Sequence, residues 1–424
     1  MKDVHHSCQG ESHIITNKVC QDKSYSAISD SMSIAIVCDG HGGSRYFRSD
    51  VGAQFAVEAT INCVEAFVKE VDESLFKDKP LIQKLTISSE AQGNLLSKDT
   101  DTDKALRQLF SSIIFLWKQK VEEHAKDTPL LDSVIANIDA KYAEDFKRNL
   151  NIEKTYGCTL MCYVQTKNYW FAFHIGDGKC IAFDTAGNWS EPVLWDEKCF
   201  LNKTTSLCDS SALEEFRYSY QGDGMFPLAV FLGSDGIDDS FGDVENQVNF
   251  YIQILKLLSN NQDDAITNIK ETLPQLSKIG SKDDMSIACI YDENSLEKCI
   301  EKLVMWQQTN VAHGITITND RILNEKNIIK NLEAKGLSNQ KNMIEYQYAQ
   351  KDLLRAFEQK KQLVFKWNKF AQELHGDDFI PYSDEIGLGC VSENYYQESD
   401  IQSDNTSESY ETADNKNSCD QTNA

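Results

Sequence analysis

The sequence predicts an α+β fold built in layers, and three observations carry that prediction. Six short runs rich in β-branched and aromatic residues read as strands: Ile34–Cys38, Thr159–Gln165, Trp170–Ile175, Lys179–Asp184, Leu228–Gly233 and Ser286–Tyr291. Between and beyond them lie amphipathic stretches with apolar residues every three or four positions. The order is strands, two or three helices, several strands, helices and a last strand. That is the order of packed layers and not of a regular βαβ alternation.

Residues 10–29 hold short polar and β-prone pieces around Cys20-Gln21-Asp22-Lys23. The run Ile34–Cys38 is short enough to be a buried strand and breaks off into Asp39-Gly40-His41-Gly42-Gly43. Glycines there let the backbone turn sharply and approach a ligand closely. Tyr46–Glu70 reads as a helix, with Phe47, Val51, Phe55, Ala59, Cys63 and Phe67 at helical spacing. Residues 72–103 are polar, include Pro80 and read as a loop or insertion. Lys104–His124 is a second helix and Leu131–Asn149 a third. A mixed region, Ser190–Met225, separates the third and fourth of the later strand runs, and Tyr251–Leu258 and Ala265–Leu273 are helical.

Beyond Asp292 the chain turns wholly helical. Ser295–Trp306 is amphipathic, Asn319 or Asp320 caps a helix to Ala334 stopped by Gly336, and Ser338 caps a long helix ending near Leu374, before Gly376. In that last helix Met343, Tyr346, Leu353, Phe357, Val364, Trp367, Ala371 and Leu374 follow a 3-4 spacing. A coiled coil, a hairpin or docking on the helix's own domain would produce the same seam. Docking or a hairpin is expected, with a protein partner as the other use of these helices. The chain therefore divides into a catalytic-size domain over 1–293, a helical extension over 294–375 and a tail over 376–424.

The formal charge of −24 is unevenly spread: the last 49 residues carry twelve acids against one lysine, and the rest of the chain is only moderately acidic. Such a balance excludes non-specific nucleic-acid binding, which needs basic surface to displace counterions. The tail is expected to be disordered, having few apolar residues. Thirteen cysteines are scattered, form no CxxC pair and suit neither a zinc ribbon nor a disulfide framework. Inside apolar runs, a reduced cysteine behaves as a small hydrophobe. No apolar signal region and no membrane-spanning apolar run occurs, so a cytoplasmic protein is expected.

The chemistry gathers at acids placed beside the ends of apolar strands. They are Asp39 after Ile34–Cys38, Asp177 in Ile175-Gly176-Asp177-Gly178, Asp235-Gly236 after Val230–Gly233, and Asp283-Asp284 before Met285–Tyr291; Asp22 is a fifth. Any one Asp-Gly pair is more simply a turn than a ligand. Buried carboxylates, however, repel each other and cost several kcal/mol unless cations neutralise them. Oxygen-only ligand sets favour Mg²⁺ or Mn²⁺, and two such ions can hold a bridging hydroxide for in-line attack on phosphorus.

At this point the chain resembles a family, the metal-dependent Ser/Thr protein phosphatases of type 2C in their bacterial form. The motifs are Asp39-Gly40-His41-Gly42-Gly43, Gly157-Cys158-Thr159, Gly176-Asp177-Gly178-Lys179, Ser234-Asp235-Gly236-Ile237-Asp238-Asp239 and Lys282-Asp283-Asp284-Met285-Ser286. They come in the family's order across roughly residues 8–293.

The resemblance implies a four-layer α-β-β-α sandwich, two antiparallel sheets flanked by helices, with two metal ions in a cleft at one end. Asp39 would bridge the ions, Asp235 and Asp283 would complete the shell of the first ion, the Gly40 carbonyl would ligate the second, and Asp22 would contact that second ion directly or through water. Asp177, with Asp239 as companion, would hold a third. His41 would protonate the leaving seryl or threonyl oxygen, since an imidazole titrates near neutrality. The nucleophile would be metal-bridging water, the substrate a phosphorylated protein, and the cysteines bystanders. Ser190–Met225, with Lys198, Lys203 and Arg217, would form a flap that helps select substrates.

The departures are specific. Gln21 stands where the family commonly has Glu, and Asp284 where Asn is usual. Gly10-Glu11-Ser12-His13 lacks the arginine that holds phosphate in many eukaryotic members, which leaves His13, Arg45 or the metals for that role. Two other classes stay open on sequence: a catalytically silent scaffold whose helical extension does the work, and a metallophosphatase for small phosphoesters.

Overall fold

In a computed structural model, described over residues 1–84, 99–131, 138–199 and 203–383, two antiparallel sheets lie face to face between helices. In chain order the strands are β1 (Lys2–Cys8), β2 (Lys23–Ile28), β3 (Ser33–Cys38), β4 (Ile82–Lys84), β5 (Leu160–Gln165), β6 (Trp170–Ile175), β7 (Lys179–Phe183), β8 (Trp189–Ser190), β9 (Arg217–Gln221), β10 (Ala229–Gly233) and β11 (Met285–Tyr291). The helices are α1 (Glu11–Thr16), α2 (Ser49–Glu70), α3 (Asp101–Asp127), α4 (Ala140–Lys147), α5 (Ile152–Thr155), α6 (Ala212–Glu215), α7 (Asp235–Phe241), α8 (Val244–Asn260), α9 (Gln262–Ile279), α10 (Glu293–Lys335) and α11 (Gln340–His375). One sheet runs β1-β11-β10-β7-β8 and the other β2-β3-β5-β6-β9-β4.

The period of two along each strand builds the four layers. Ile34, Ile36, Cys162 and Phe173 face outward onto Ala53, Phe110 and Trp117 of α2 and α3. Ala35, Val37, Met161 and Ala172 face inward onto Val230, Leu232, Ala288 and Ile290 of the other sheet. Phe231, Ile287 and Cys289 then face outward onto Val248, Ile252, Leu255 and Leu273 of α8 and α9. Full burial of each Val, Leu, Ile, Met or Phe among them stabilises by about 1.5–3 kcal/mol. Directed contacts fix the registry: the Trp117 indole donates to the Gly52 carbonyl at 3.0 Å, and Phe231 stacks on Tyr251 at 4.3 Å.

Several elements differ from the sequence reading, each for a local reason. Residues 2–8 and 217–221 are strands the sequence did not mark, because their polar and charged side chains hide the alternation. Helix α3 begins at Asp101, where Thr100 and Asp103 form a reciprocal capping box. Within Leu131–Asn149 the described helix is Ala140–Lys147; residues 132–137 lie outside the described ones. Helix α9 continues past Pro274 to Ile279, its last turn pinned by the buried Ser277.

The helical extension changes most. No cap forms at Asn319 or Asp320; α10 runs unbroken from Glu293 to Lys335. The buried residues Val304, Gln307, Val311, Ile315, Thr318 and Ile322 continue a 3-4 stripe through that point, and the antiparallel α11 covers it, so packing overrides the capping side chains. Gly336 ends α10 with a φ of +84°. Of the expected α11 seam, Ala371 is buried, Met343 is exposed and the seam residues between them are half-buried, while the small Ala349 and Ala356, outside that seam, are buried as well. Lys256 of α8 pairs with Glu373 and lies over the Phe370 ring.

The first turns of α10 belong to the sandwich itself. Leu296, Cys299 and Leu303 are buried in the same core as α8 and β10. Lys302 donates to the Thr185 carbonyl at 2.6 Å. Residues Met1–Ile380 form one compact unit; a second, Pro381–Ala424, lies almost wholly outside the described residues, and so does the expected disorder of the tail. Among the described residues eleven cysteines are free thiols, and no helix is long and apolar enough to cross a membrane.

Candidate metal centre

Four turns and one loop bring the acids to one end of the sandwich. Asp39 leaves β3; its N–H donates to the Thr159 hydroxyl at 3.0 Å and its carbonyl accepts from the Thr159 N–H at 2.8 Å. Gly40 follows in a bridge to Cys158, with no room for a side chain: a Cβ would sit 2.6 Å from the Gln21 carbonyl oxygen and 2.9 Å from that of Ser49. Asp235 opens α7, and Asp177 occupies the tight turn between β6 and β7. Asp283 lies exposed on the turn before β11, whose Ser281 hydroxyl donates to the Gly236 carbonyl at 2.8 Å.

Asp22 is 1% exposed, and its loop is held by Asp284. That carboxylate accepts the N–H groups of Gly10 and Gln21 at 2.6 Å each and lies 2.9 Å from Nδ1 of His13. The His13 partnership and the two N–H bonds hold the Asp284 carboxyl below its usual range against the opposing effect of burial. Asp284 in place of the usual asparagine is therefore the post to which the Asp22 loop is tied. That role is not legible in the sequence, because the partners lie more than 260 residues away in the chain.

Electrostatically the acids form one set. Burial, then Asp284 and Asp235, raise the Asp22 carboxyl well above the ordinary range. Burial, then Asp22 and Asp235, do the same to Asp39. Asp235 is pushed up to about 7, chiefly by burial, and shares a hydrogen bond with Asp39. Asp177 and Asp239 are raised by burial first, and Asp239 adds repulsion on Asp177.

Among the described residues no three His, Cys, Asp or Glu side chains form a ready-made metal cage. The donor chemistry nevertheless fits hard divalent cations, which take backbone carbonyls and waters beside a few carboxylates. Oδ2 of Asp22 and Oδ1 of Asp235 are buried without a hydrogen-bond partner, and buried carboxylates of one sign need a cation or protons to offset their repulsion.

The other expected site residues are placed differently. His41 sits on the Asp39 turn, but its ring points at the Ser206 hydroxyl, 2.7 Å from Nε2, and meets Tyr46 edge-on. Burial pushes its pKa down to about 4, with Lys154 adding to the effect and Asp209 opposing it. His13 is buried, with its Nδ1 2.9 Å from the Asp284 carboxylate. Arg45 lies over the Tyr142 ring, 5.9 Å from its centroid. Gln21 spends its amide nitrogen on the His41 carbonyl and the Ser49 hydroxyl, leaving Oε1 buried and unpaired.

Of the basic residues assigned to a flap, Lys198 pairs with Glu215 at the surface, whereas Arg217 is a fully buried strand residue. Thr159 and Ser234, which partner Asp39 and Asp22, belong to the motifs, whereas Ser206, the partner of His41, carries no signal in the sequence.

The family model described as protein phosphatase 2C matches residues 9–274. No curated protein matches the chain. Among solved structures, the chain is similar to a bacterial serine phosphatase (14% identity, 69% of this chain and 99% of that one, TM-score 0.40). It is likewise similar to the Ser/Thr phosphatase Stp1 from Staphylococcus aureus (13%, 69% and 95%, TM-score 0.41). A third is the catalytic domain of the Ser/Thr protein phosphatase PstP in complex with two manganese ions (12%, 69% and 98%, TM-score 0.37). With the matched residues covering well over half of the chain and every motif but the last, the protein belongs to the protein phosphatase 2C family.

Proposed function

We propose that this protein is a Mg²⁺- or Mn²⁺-dependent phosphatase that hydrolyses phosphoserine and phosphothreonine in proteins. The observation that carries the reading is the set of mutually repelling carboxylates of Asp22, Asp39 and Asp235, with two buried oxygens left unpartnered. Asp39, Asp235, Asp283, Asp22 and the Gly40 carbonyl would hold two cations, and Asp177 with Asp239 a third. Cations so held supply Lewis-acid charge on the phosphoryl oxygens and an activated water.

The chain's own residues do the rest. Thr159 holds the Asp39 backbone on both its N–H and C=O, so the Asp39 carboxylate starts from a fixed point. Asp284 fixes the Asp22 loop in the same way. His41 is a neutral imidazole at pH 7; beside a phosphate dianion its pKa rises, so the ring would take up a proton from solvent and pass it to the leaving oxygen as general acid. Arg45, half-buried near the glycine turn, is the remaining candidate for contact with the substrate phosphate.

The test is phosphate release from a phosphothreonine peptide and from a small aryl phosphate, with Mn²⁺, Mg²⁺ or EDTA. The wild type is compared with Asp39→Ala, Asp235→Ala and His41→Gln. Metal-dependent peptide turnover, lost in both aspartate variants, is expected. His41→Gln should slow the peptide far more than the aryl ester, whose leaving group needs no proton. A folded wild type with no turnover under either metal overturns the reading in favour of a scaffold. Turnover of the small ester alone makes it a small-molecule phosphatase.

A further inference from the structure

Under the Gly176–Gly178 turn lies a buried charged assembly that the catalytic reading does not use. Arg217, the first residue of β9, is 1% exposed. Its Nη2 donates to the Gly176 carbonyl at 2.5 Å and to Nδ1 of His174 at 3.1 Å, and Nη1 donates to the Leu194 carbonyl at 2.9 Å. His174 and Arg217 are register partners across β6 and β9, so strand pairing itself aims the guanidinium at the turn. Accepting from a guanidinium requires a lone pair on Nδ1, which makes His174 a neutral ring with its proton on Nε2. Asp196, also buried, stands 3.7 Å from the Arg217 Nε as countercharge.

The same segment holds the other polar group of Gly176. The Thr205 hydroxyl accepts the Gly176 N–H at 3.0 Å, and the Cys199 thiol lies 3.3 Å from the Gly176 carbonyl oxygen. Gly176 itself has a φ of +126°, a conformation open to glycine and avoided by side-chain-bearing residues, and these bonds hold both of its backbone polar groups. A buried cation is costly, and an apolar residue of similar volume would fill the space at less expense. What the guanidinium supplies that an apolar residue cannot is a planar fork serving several acceptors at once.

We propose that Arg217 is a positioning residue for the metal centre. It fixes the Gly176–Asp177 turn from beneath and so sets the affinity of the cation that Asp177 holds, touching neither that cation nor the substrate. This rests on the reading of Asp177 as a cation ligand. A purely structural arginine, when replaced, would loosen the core and weaken every cation alike. A positioning one acts on a single cation.

The experiment is calorimetric titration of the full chain with Mn²⁺, for the wild type, Asp177→Ala, Arg217→Lys and Thr205→Val, with folding checked by circular dichroism. Asp177→Ala is expected to remove one binding event. Arg217→Lys should weaken that same event by about 10- to 100-fold and leave the others within about twofold, and Thr205→Val should shift it in the same direction by less. If Asp177→Ala keeps every event, the assignment of Asp177 fails and the inference falls with it. If Asp177→Ala loses an event that Arg217→Lys and Thr205→Val keep, the inference alone is overturned. Equal weakening of all events in Arg217→Lys also overturns it, as that is the structural outcome. Should Arg217→Lys not fold, Thr205→Val decides on the same criteria.

Discussion

Replacing Asp235 by asparagine should stabilise the protein in the presence of chelator while abolishing its activity. Burial, with added repulsion from Asp177, Asp283 and Asp239, lifts the Asp235 carboxyl from 3.8 to about 7. A rise of that size corresponds to about 4 kcal/mol of differential stability, taken as an upper figure because Asp39 shares the proton. The folded state holds this proton more tightly than the unfolded chain does. Its stabilising contribution is therefore complete below about pH 3.8 and is lost as pH rises through about 7.

At pH 8 the wild type without metal must fold around an ionised, half-buried carboxylate, and asparagine of the same shape removes that charge. Urea unfolding in EDTA should show the variant more stable by about 1–4 kcal/mol at pH 8, with the gap closing toward pH 4. Mn²⁺ should shift the balance toward the wild type by about 2.7 kcal/mol when free metal stands a hundredfold over its dissociation constant, narrowing or reversing the gap. A variant no more stable than the wild type at pH 8 in EDTA, or a gap indifferent to pH, would refute the carboxylate-repulsion argument.

Three further outcomes are expected. Asp284→Ala leaves His13 and two backbone N–H groups without their buried acceptor; it should cost about 3–5 kcal/mol in urea unfolding and weaken Mn²⁺ binding through the freed Asp22 loop. A chain ending at residue 292 loses Leu296, Cys299 and Leu303 from the sandwich core and should be destabilised by more than about 3 kcal/mol or be insoluble, whereas one ending at residue 308 keeps them; equal stability would make residue 293 a true domain boundary. Gly40→Ala forces a Cβ against the Gln21 and Ser49 carbonyls and should lower phosphate release by about a hundredfold, since small misplacements at a reacting centre are that costly; turnover within a few-fold of the wild type would show that this backbone is not held so tightly.

The sequence by itself determined the apolar strands and the order of the acidic turns at their ends. The runs Ile34–Cys38, Trp170–Ile175 and Leu228–Gly233 read as strands because each is apolar on both faces, and both faces are in fact covered. The aspartates were legible because an acid beside glycine at a strand end is local in the chain, and motif order preserves it. Tertiary structure alone decided what each polar residue is paired with. Arg217 reads as a surface charge in a loop and is instead a core residue beneath the Asp177 turn. His41 reads as an acid poised near neutrality until burial takes its pKa to about 4. Asn319 reads as a cap until the stripe of α10 meets α11. In each case the deciding energy is desolvation or packing against residues distant in sequence. Periodicity records which side of an element is apolar, and only the folded chain fixes what comes to lie against it.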